Sequence, residues 1–155
     1  MRPEETRFLH QAIDAARRAG ARGNQPFGAV LVDAAGKVLL EGENTAVTER
    51  DCTGHAEANI MREATRRYPP DVLASSTMYA STEPCAMCAG AIFWGGVGRV
   101  VFALSSAEFG KMVGDKRAGL FMSCREVLER GSRPTQVEGP VDLREARDVH
   151  AGFWK

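Results

Sequence analysis

The sequence predicts an α/β fold, a three-layer α/β/α sandwich built around a mixed five-stranded sheet. Two strand patterns near the N-terminus are joined by a short turn, as in a hairpin. Strand and helix patterns then alternate, which is typical of α/β folds. One strand pattern, "GRVVFAL", is continuously apolar, as expected of a parallel strand inside a sheet. At 155 residues the chain has about the length of one domain, and we expect a single domain over residues 1–155.

The first half of the chain predicts a helix, a hairpin and a second helix. Apolar residues recur at helical spacing in residues 8–16, after a Pro-Glu-Glu start. The segment "PFGAVLVDAAGKVLLEGEN" has two strand patterns joined around Ala34 and Gly36, which indicates a hairpin. Residues 56–67 show helical spacing again, and the pair Pro69-Pro70 stops that helix.

The second half predicts three strands and three helices. The short strand "STMYAS" precedes a mostly apolar helix over residues 85–94, which Gly95 and Gly96 terminate. The strand "GRVVFAL" comes next, followed by a helix in "LFMSCREVLERG". A weak strand in "PTQVEG" and a last helix in "DLREARDVHAGFW" complete the chain.

Charge and composition weigh against several classes of protein. Lys and Arg together number 20, as do Asp and Glu, so the net charge gives no general field that would collect nucleic acid. No run approaches the roughly 18 apolar residues of a membrane span, and the charged N-terminus does not resemble a signal peptide. We therefore expect a cytoplasmic protein without a membrane partner. Its four cysteines are then metal ligands, catalytic residues or core residues before they are disulfides.

Three residues have the types and the spacing of a metal site. His55 stands at the start of one predicted helix, and Cys85 and Cys88 stand at the start of the next. One imidazole and two thiolates are three ligands, the number that a catalytic zinc site uses while it keeps a fourth position for water. Helix N-termini suit thiolates, because their N–H groups and dipole stabilise negative charge.

Glu57 is expected beside the metal and not on it. It lies two residues from His55, a spacing that does not place both side chains on one helix stripe. Two thiolates cancel the formal charge of Zn²⁺ and make it a weaker Lewis acid. A carboxylate base is then needed to carry the proton from water to the departing group.

Other interpretations stay open for these residues. A Cys-x-x-Cys pair in a cytosolic protein is also typical of a dithiol redox pair, which would require neither His55 nor Glu57. A zinc scaffold without activity is a further alternative, although it has no use for a base. We expect Cys52 and Cys124 to be core residues. His10 and His150, each alone on a predicted helix, are interpreted as surface or core residues.

The two motifs together resemble a known superfamily. "HAE" at 55–57 and "PCAMC" at 84–88 match the H-x-E…P-C-x-x-C signature of zinc-dependent nucleobase deaminases. The chain resembles the cytidine/deoxycytidylate deaminase superfamily over nearly its whole length. The resemblance implies a cytidine deaminase-like fold, Zn²⁺ held by the imidazole and the two thiolates, and Glu57 as the proton shuttle. It also implies release of ammonia from an amino-substituted ring and a homodimer.

The resemblance also implies substrate contacts. Asn44, in "GENTAV", sits where family members hold an asparagine that reads the base, and its amide can both donate and accept. Phe27 would form an apolar wall for the ring, and Ala56 would contact the ring between the two motif residues. Asn44 is otherwise a turn residue after a strand, and packing of the hairpin explains Phe27 equally well.

The segments "PFGAV" and "EPCAMCAGAIFW" look most like bacterial guanine deaminases and plant guanosine deaminases. A free base or nucleoside of the guanine type is therefore expected as substrate. In those enzymes the C-terminal segment closes over the base, sometimes from the partner subunit. Phe153 and Trp154 would form this lid, or would simply pin the last helix to the core.

One element departs from the guanine enzymes. Where they carry Gly-Phe-Asp-Asp, this chain reads "VGDKRAGLF", and Asp115 is the acidic residue left to contact the substrate. A tRNA-specific adenosine deaminase, or a cytosine, pterin or aminotriazine deaminase, is the alternative. The tRNA enzyme would need a basic channel, and the mixed charges of "EGPVDLREARDVHAGFWK" do not provide one.

Overall fold

The computed structural model describes residues 1–114 and 117–154. After a 3₁₀ turn at Pro3–Glu5, the elements in chain order are α1 (Thr6–Ala21), β1 (Gly28–Val32), β2 (Val38–Glu43), α2 (Ala56–Arg67), α3 (Pro70–Ala74), β3 (Thr77–Thr82), α4 (Ala86–Gly95), β4 (Arg99–Leu104), α5 (Ser106–Val113), α6 (Cys124–Glu129), β5 (Gln136–Glu138) and α7 (Arg144–Asp148).

In the described ranges, the strands form one five-stranded mixed sheet in the order β2-β1-β3-β4-β5. β1 pairs antiparallel with β2, from Gly28 opposite Glu43 to Val32 opposite Val38, and the predicted hairpin is confirmed. β1 also pairs antiparallel with β3. β3, β4 and β5 are parallel to one another, so the continuously apolar β4 is the central parallel strand that its composition predicts.

Side chains of the sheet alternate between two apolar cores, which makes the predicted three layers. Ala29 and Leu31 of β1 belong to one core, together with residues of α2, α4 and α6. Val30 and Val32 belong to the other core, with residues of α1, α5 and α7. Because successive side chains of a strand point to opposite faces, helices cover both faces of the sheet.

Several elements differ from the sequence-based expectation. α3 and α5 were not expected; α5 begins where the Ser105 hydroxyl accepts a hydrogen bond from the N–H of Glu108 at 3.1 Å. The helix expected in "LFMSCREVLERG" begins only at Cys124, because Ser123 and Glu126 form a capping box. α7 ends at Asp148 and turns follow it.

Of the two cysteines expected in the core, the structure confirms one and contradicts the other. Cys124 is fully buried, as expected of a core residue, but Cys52 is exposed, and the core interpretation was wrong for it. Cys52 lies in the turns between β2 and α2, where no helix or strand carries it into either core. Among residues 1–114 and 117–154, none of the helices combines the length and the apolar character that crossing a bilayer requires.

Candidate metal centre and active site

Two helix starts bring the predicted ligands together. His55 is the N-cap residue of α2 and Cys85 is the N-cap residue of α4, and both have extended backbone dihedrals. Neither side chain caps its own helix, so both are free to bind something else. Cys88 lies in the first turn of α4 and is fully buried. The strand–loop–helix connection from β3 to α4 therefore delivers both thiols to the imidazole.

The three donor atoms are spaced as a tetrahedral ion requires. Nδ1 of His55 lies 3.5 Å from Sγ of Cys85 and 3.6 Å from Sγ of Cys88. All three donors lie within 4.8 Å of one another, and no disulfide joins the sulfurs. With Zn–N and Zn–S bonds of ordinary length, the N–S edge of a tetrahedron is about 3.6 Å. The donor set fits zinc, whereas a dithiol redox pair would not need the imidazole.

The thiols and the imidazole shift one another's pKa. A hydrogen bond from Cys88, helped by His55, lowers the pKa of Cys85 to about 4. The same hydrogen bond, together with burial, raises the pKa of Cys88. The hydrogen bond to Cys85 raises the pKa of His55. The site thus already stabilises one thiolate, the form of cysteine that binds metals.

Glu57 lies beside the donors and not among them. Its side chain is buried, at 5% exposure, in the first turn of α2. Burial is the main reason that the pKa of this carboxyl is raised; its own backbone N–H and the Cys88 thiol donate to it and act against the shift. A buried carboxyl in contact with a ligand thiol is placed to move protons at the metal centre.

Asn44 contributes a buried donor. It is 1% exposed, and its backbone N–H donates to the carbonyl oxygen of Phe27 at 3.1 Å. Its Oδ1 accepts from the N–H of Ala46 at 3.1 Å, so the acceptor expected to read a ring atom is already used by the turn. Its Nδ2 has no partner in the described part of the chain. A buried N–H group without a partner is costly and marks a place where a ligand atom would fit.

The loop that carries Asn44 is tied to the metal centre. The N–H of Thr45 donates to the carbonyl oxygen of Gly54, directly before His55, at 2.8 Å. Ala56 is fully buried, and a Cβ at Gly42 would overlap its carbonyl oxygen. Glycine at position 42 therefore lets the start of α2 lie directly against β2. Whether Ala56 contacts a substrate stays a prediction.

Four rings pack against one another and form what we call the aromatic cluster: Phe27, Phe109, His150 and Trp154. Phe27 lies 5.4 Å from Phe109, 5.4 Å from His150 and 6.2 Å from Trp154, between ring centroids. Phe153 packs on the outer side of Trp154, at 5.0 Å, and is 36% exposed. The structure therefore brings Trp154 to Phe27 and leaves Phe153 at the surface.

Sequence reasoning missed two members of this region, Phe109 and Arg117. His150 was expected to be a surface or core residue; it is a buried core residue whose ring bonds to Trp154 at 3.2 Å and Thr82 at 3.4 Å. Phe109 and Arg117 were not singled out, since neither belongs to a motif. The adjacent basic residues of "DKRAG" were the available signal for Arg117. Asp115, expected to contact the substrate, lies outside the described residues.

Comparison with known proteins gives a consistent result. Residues 2–104 match the family described as the cytidine and deoxycytidylate deaminase zinc-binding region. The chain is 37% identical over 151 residues to a probable cytosine deaminase of Schizosaccharomyces pombe, covering 95% of this chain and 90% of that protein. It is 32% identical over 149 residues to a tRNA-specific adenosine deaminase of Aquifex aeolicus, covering 96% and 92%.

A solved structure agrees with these relatives. The guanine deaminase of Bacillus subtilis superposes with a TM-score of 0.63 at 31% identity, over 86% of this chain and 83% of that one. The matched family spans about two thirds of the chain and contains the three donors and Glu57. The chain therefore belongs to the zinc-binding cytidine and deoxycytidylate deaminase family and is a hydrolytic deaminase that uses zinc.

Proposed function

We propose that residues 1–155 act as one zinc-dependent domain that deaminates a free nucleobase or nucleoside, with a guanine-type purine as the first candidate. The observation that carries this proposal is the buried Glu57 carboxyl beside the imidazole and the two thiols. A site that only held a metal for stability would gain nothing from a buried carboxyl next to its ligands.

In this proposal His55, Cys85 and Cys88 hold Zn²⁺, and Glu57 moves the protons. When zinc is bound, it would lower the pKa of a water molecule, and that water could then attack the ring near neutral pH. Hydrolysis replaces the exocyclic amine of the ring by the oxygen of water. Glu57 would accept one proton from the attacking water and give it to the ring nitrogen beside the reacting carbon. It would then take the second proton from the hydroxyl group that this water leaves on the carbon and deliver it to the amine. The C–N bond then breaks and ammonia leaves.

The raised pKa of Glu57 suits a group that both accepts and returns a proton. A carboxyl at its usual pKa would be a weak base and would hold a proton too briefly to give it back. Burial raises the pKa of the Glu57 carboxyl above its usual value. The same burial keeps bulk water away from the proton path.

Asn44 and Phe27 would position the ring. The free Nδ2 of Asn44 would donate to a ring nitrogen or carbonyl oxygen, and the bond from its backbone to Phe27 keeps the two residues together. Phe27 would supply the flat apolar contact. We propose that Trp154, which packs on Phe27, covers the bound ring, and that Phe153 packs on the solvent side of Trp154. Their packing on Phe27 and on each other is compatible with both a lid and an anchor for the C-terminus.

Cytosine is the second candidate, because the likeness to the probable cytosine deaminase extends over 95% of this chain. Guanine is supported by the likeness to the Bacillus subtilis structure. The equal numbers of basic and acidic residues support a small molecule in preference to tRNA.

The test is ammonia release by purified, zinc-loaded protein from guanine, guanosine, cytosine, cytidine, adenine, a pterin, an aminotriazine and a tRNA substrate. We expect turnover of one small ring, and turnover of tRNA alone would contradict the proposal. Glu57→Gln should keep about one zinc per chain and lose activity about 10³-fold or more, since proton transfer by a positioned group is worth that much. Normal turnover by this variant would refute the role of Glu57.

We also propose that two copies pair through the outer faces of α2 and α4. Trp94 is 85% exposed, and Met87 and Ala91 of the same helix line an open apolar hollow with Met61 of α2. Exposed apolar patches of this kind favour burial against another protein.

We propose a cytoplasmic location as well. The Cys85 and Cys88 thiols must stay reduced to bind metal, and the cytoplasm keeps thiols reduced.

Sedimentation velocity tests the pairing. Trp94→Glu should turn a dimer into a monomer, because a charge would be buried in the interface. Val47→Glu is the matched control, since Val47 is 58% exposed and belongs to the turns after β2 and to neither α2 nor α4. A wild-type monomer at micromolar concentration, or an unchanged dimer in Trp94→Glu, would contradict this interface.

A further inference from the structure

Arg117 occupies an unusual position for a charged residue. Its guanidinium carbon lies 5.0 Å from the ring centroid of Phe27, 5.3 Å from that of Phe109 and 5.6 Å from that of Trp154. Three rings from distant parts of the chain thus surround one cation, at distances where cation–π attraction is effective. The side chain is half-buried, and burial lowers its pKa.

Within residues 1–114 and 117–154, Arg117 has no carboxylate or hydrogen-bond acceptor. Other half-buried arginines of this chain do: Arg99 binds Glu5 at 2.8 Å and Glu138 at 3.0 Å, and Arg147 binds Asp142 at 2.7 Å. Cation–π contacts use the faces of a guanidinium and leave its N–H groups, which lie in its plane, able to donate. Arg117 is therefore a partly desolvated donor without a protein acceptor among the described residues.

The position of Arg117 relates it to the metal centre. Arg117 lies close enough to the metal centre for its charge to interact with Cys85, Glu57 and His55. Phe27, one of its three rings, accepts the backbone hydrogen bond of Asn44. Phe27 therefore links Arg117 to Asn44, the residue with the free buried amide.

We propose that Arg117 is a specificity-determining residue that donates hydrogen bonds to an exocyclic carbonyl oxygen of the substrate. The substrate class is then an amino-substituted heterocycle that also bears an oxo group, as guanine and cytosine do and adenine does not. The aromatic faces around Arg117 favour a flat ring over a phosphate, which stays heavily hydrated and needs several donors. This inference rests on the proposed function and narrows its substrate class.

Matched ring pairs test the role of Arg117 in turnover. Guanine and 2-aminopurine differ by one carbonyl oxygen, as do cytosine and 4-aminopyrimidine. The wild type should prefer the oxo member of whichever pair it accepts. Arg117→Met should lower kcat/KM for that member about 10- to 100-fold, the worth of a hydrogen bond to a charged donor, and leave the other member unchanged. Arg117→Lys should retain part of the preference, and Arg66→Met, an exposed arginine of α2, should retain all of it.

Binding of rings without an amine separates this inference from the proposed function. Titration calorimetry with hypoxanthine against purine, and with 2-pyrimidinone against pyrimidine, needs no turnover. Weaker binding of only the oxo ring by Arg117→Met supports the inference even if no ring releases ammonia, in which case the proposed function alone fails. Equal losses for both members of a pair, no loss for either, or a loss confined to nucleoside 5′-phosphates would overturn the role of Arg117.

Discussion

At the scale of single residues, the site consists of polar groups that the fold has withdrawn from water. The clustering of the three donors could be predicted because the chemistry demands particular residue types at a short, local spacing. The surroundings of Arg117 and Phe109 could not, because they depend on rings contributed by distant segments. A substrate contact by Asn44 stays a prediction, and the bond from Ala46 to its Oδ1 depends on the turn that follows β2.

Removing one donor should lower both the zinc content and the stability of the protein. In Cys88→Ala the imidazole and one thiol remain, and two donors hold zinc far more weakly than three. We expect loss of stoichiometric zinc and a free energy of unfolding about 3 kcal/mol lower, since a tightly bound ligand stabilises the folded state by linkage. Elemental analysis and denaturant unfolding measure both quantities. Cys52→Ala, at an exposed thiol, is the control, and retention of one tight zinc in Cys88→Ala would contradict the ligand assignment.

His150 should make stability depend on pH. Burial, with a smaller effect of the Arg117 charge, lowers its pKa from 6.5 to about 4. Between pH 4 and pH 6.5, the imidazole of His150 is therefore protonated in the unfolded chain and neutral in the folded chain. Its stabilising contribution is therefore complete above pH 6.5 and is lost as the pH falls towards 4, by up to about 3 kcal/mol.

The variant His150→Gln tests this dependence, because an amide can still bond to Trp154 and Thr82. The slope of the free energy of unfolding against pH gives the number of protons taken up on unfolding. Between pH 4 and 6.5 this number should be smaller in the variant than in the wild type by almost one. His10→Gln, at an exposed position in α1, is the matched control for the substitution itself. Identical slopes in the wild type and His150→Gln would show that this ring does not titrate differently in the two states.

At the scale of elements, helix and strand types followed from apolar periodicity, whereas boundaries followed from caps. The expected helix in "LFMSCREVLERG" begins four residues late because Ser123 caps it, and Phe121 remains fully exposed. α3 and α5 are too short for periodicity to reveal. The close approach of α1 to β1 also left no periodic signal; it depends on one small residue.

Gly28 should be intolerant of any side chain. A Cβ there would overlap the carbonyl oxygen of Ala12 and the backbone nitrogen of Ala16, so α1 would have to move away from β1. We expect Gly28→Ala to lower the free energy of unfolding by about 3 kcal/mol. Gly110→Ala, in α5, meets nothing within 4 Å and should be neutral or slightly stabilising. Because Phe27 precedes Gly28, activity should fall in Gly28→Ala only.

At the scale of the whole molecule, the two ends of the parallel strands have different tasks. β3 ends three residues before Cys85, so the metal centre lies at the carboxyl end of the strands, where loops lead into helix N-termini. The opposite end carries an ion network: Arg99, at the start of β4, binds Glu5 and Glu138, and the Met1 amine binds Glu138 at 2.5 Å. The sequence could not reveal this network, because Glu5 and Arg99 are 94 residues apart.

This network should determine stability in acid and leave catalysis alone. The hydrogen bond from Arg99 is the main cause that lowers the pKa of Glu5 from 4.5 to about 2, and Tyr79 also donates to this carboxylate. The folded state therefore binds fewer protons than the unfolded state between these values. The stabilisation, about 2 kcal/mol after solvent screening, is complete above pH 4.5 and is lost as the pH falls through 2.

Glu5→Gln should remove that stabilisation at neutral pH and flatten the acid limb of the stability curve, because Arg99 is left partly buried without its main partner. Glu4→Gln, whose exposed carboxylate contacts only Arg2 at 3.4 Å, is the matched control. Zinc content and kcat should be unchanged in both variants, since the network lies at the end of the sheet away from the donors. A loss of kcat in Glu5→Gln while the protein stays folded would show that the two ends of the sheet are coupled.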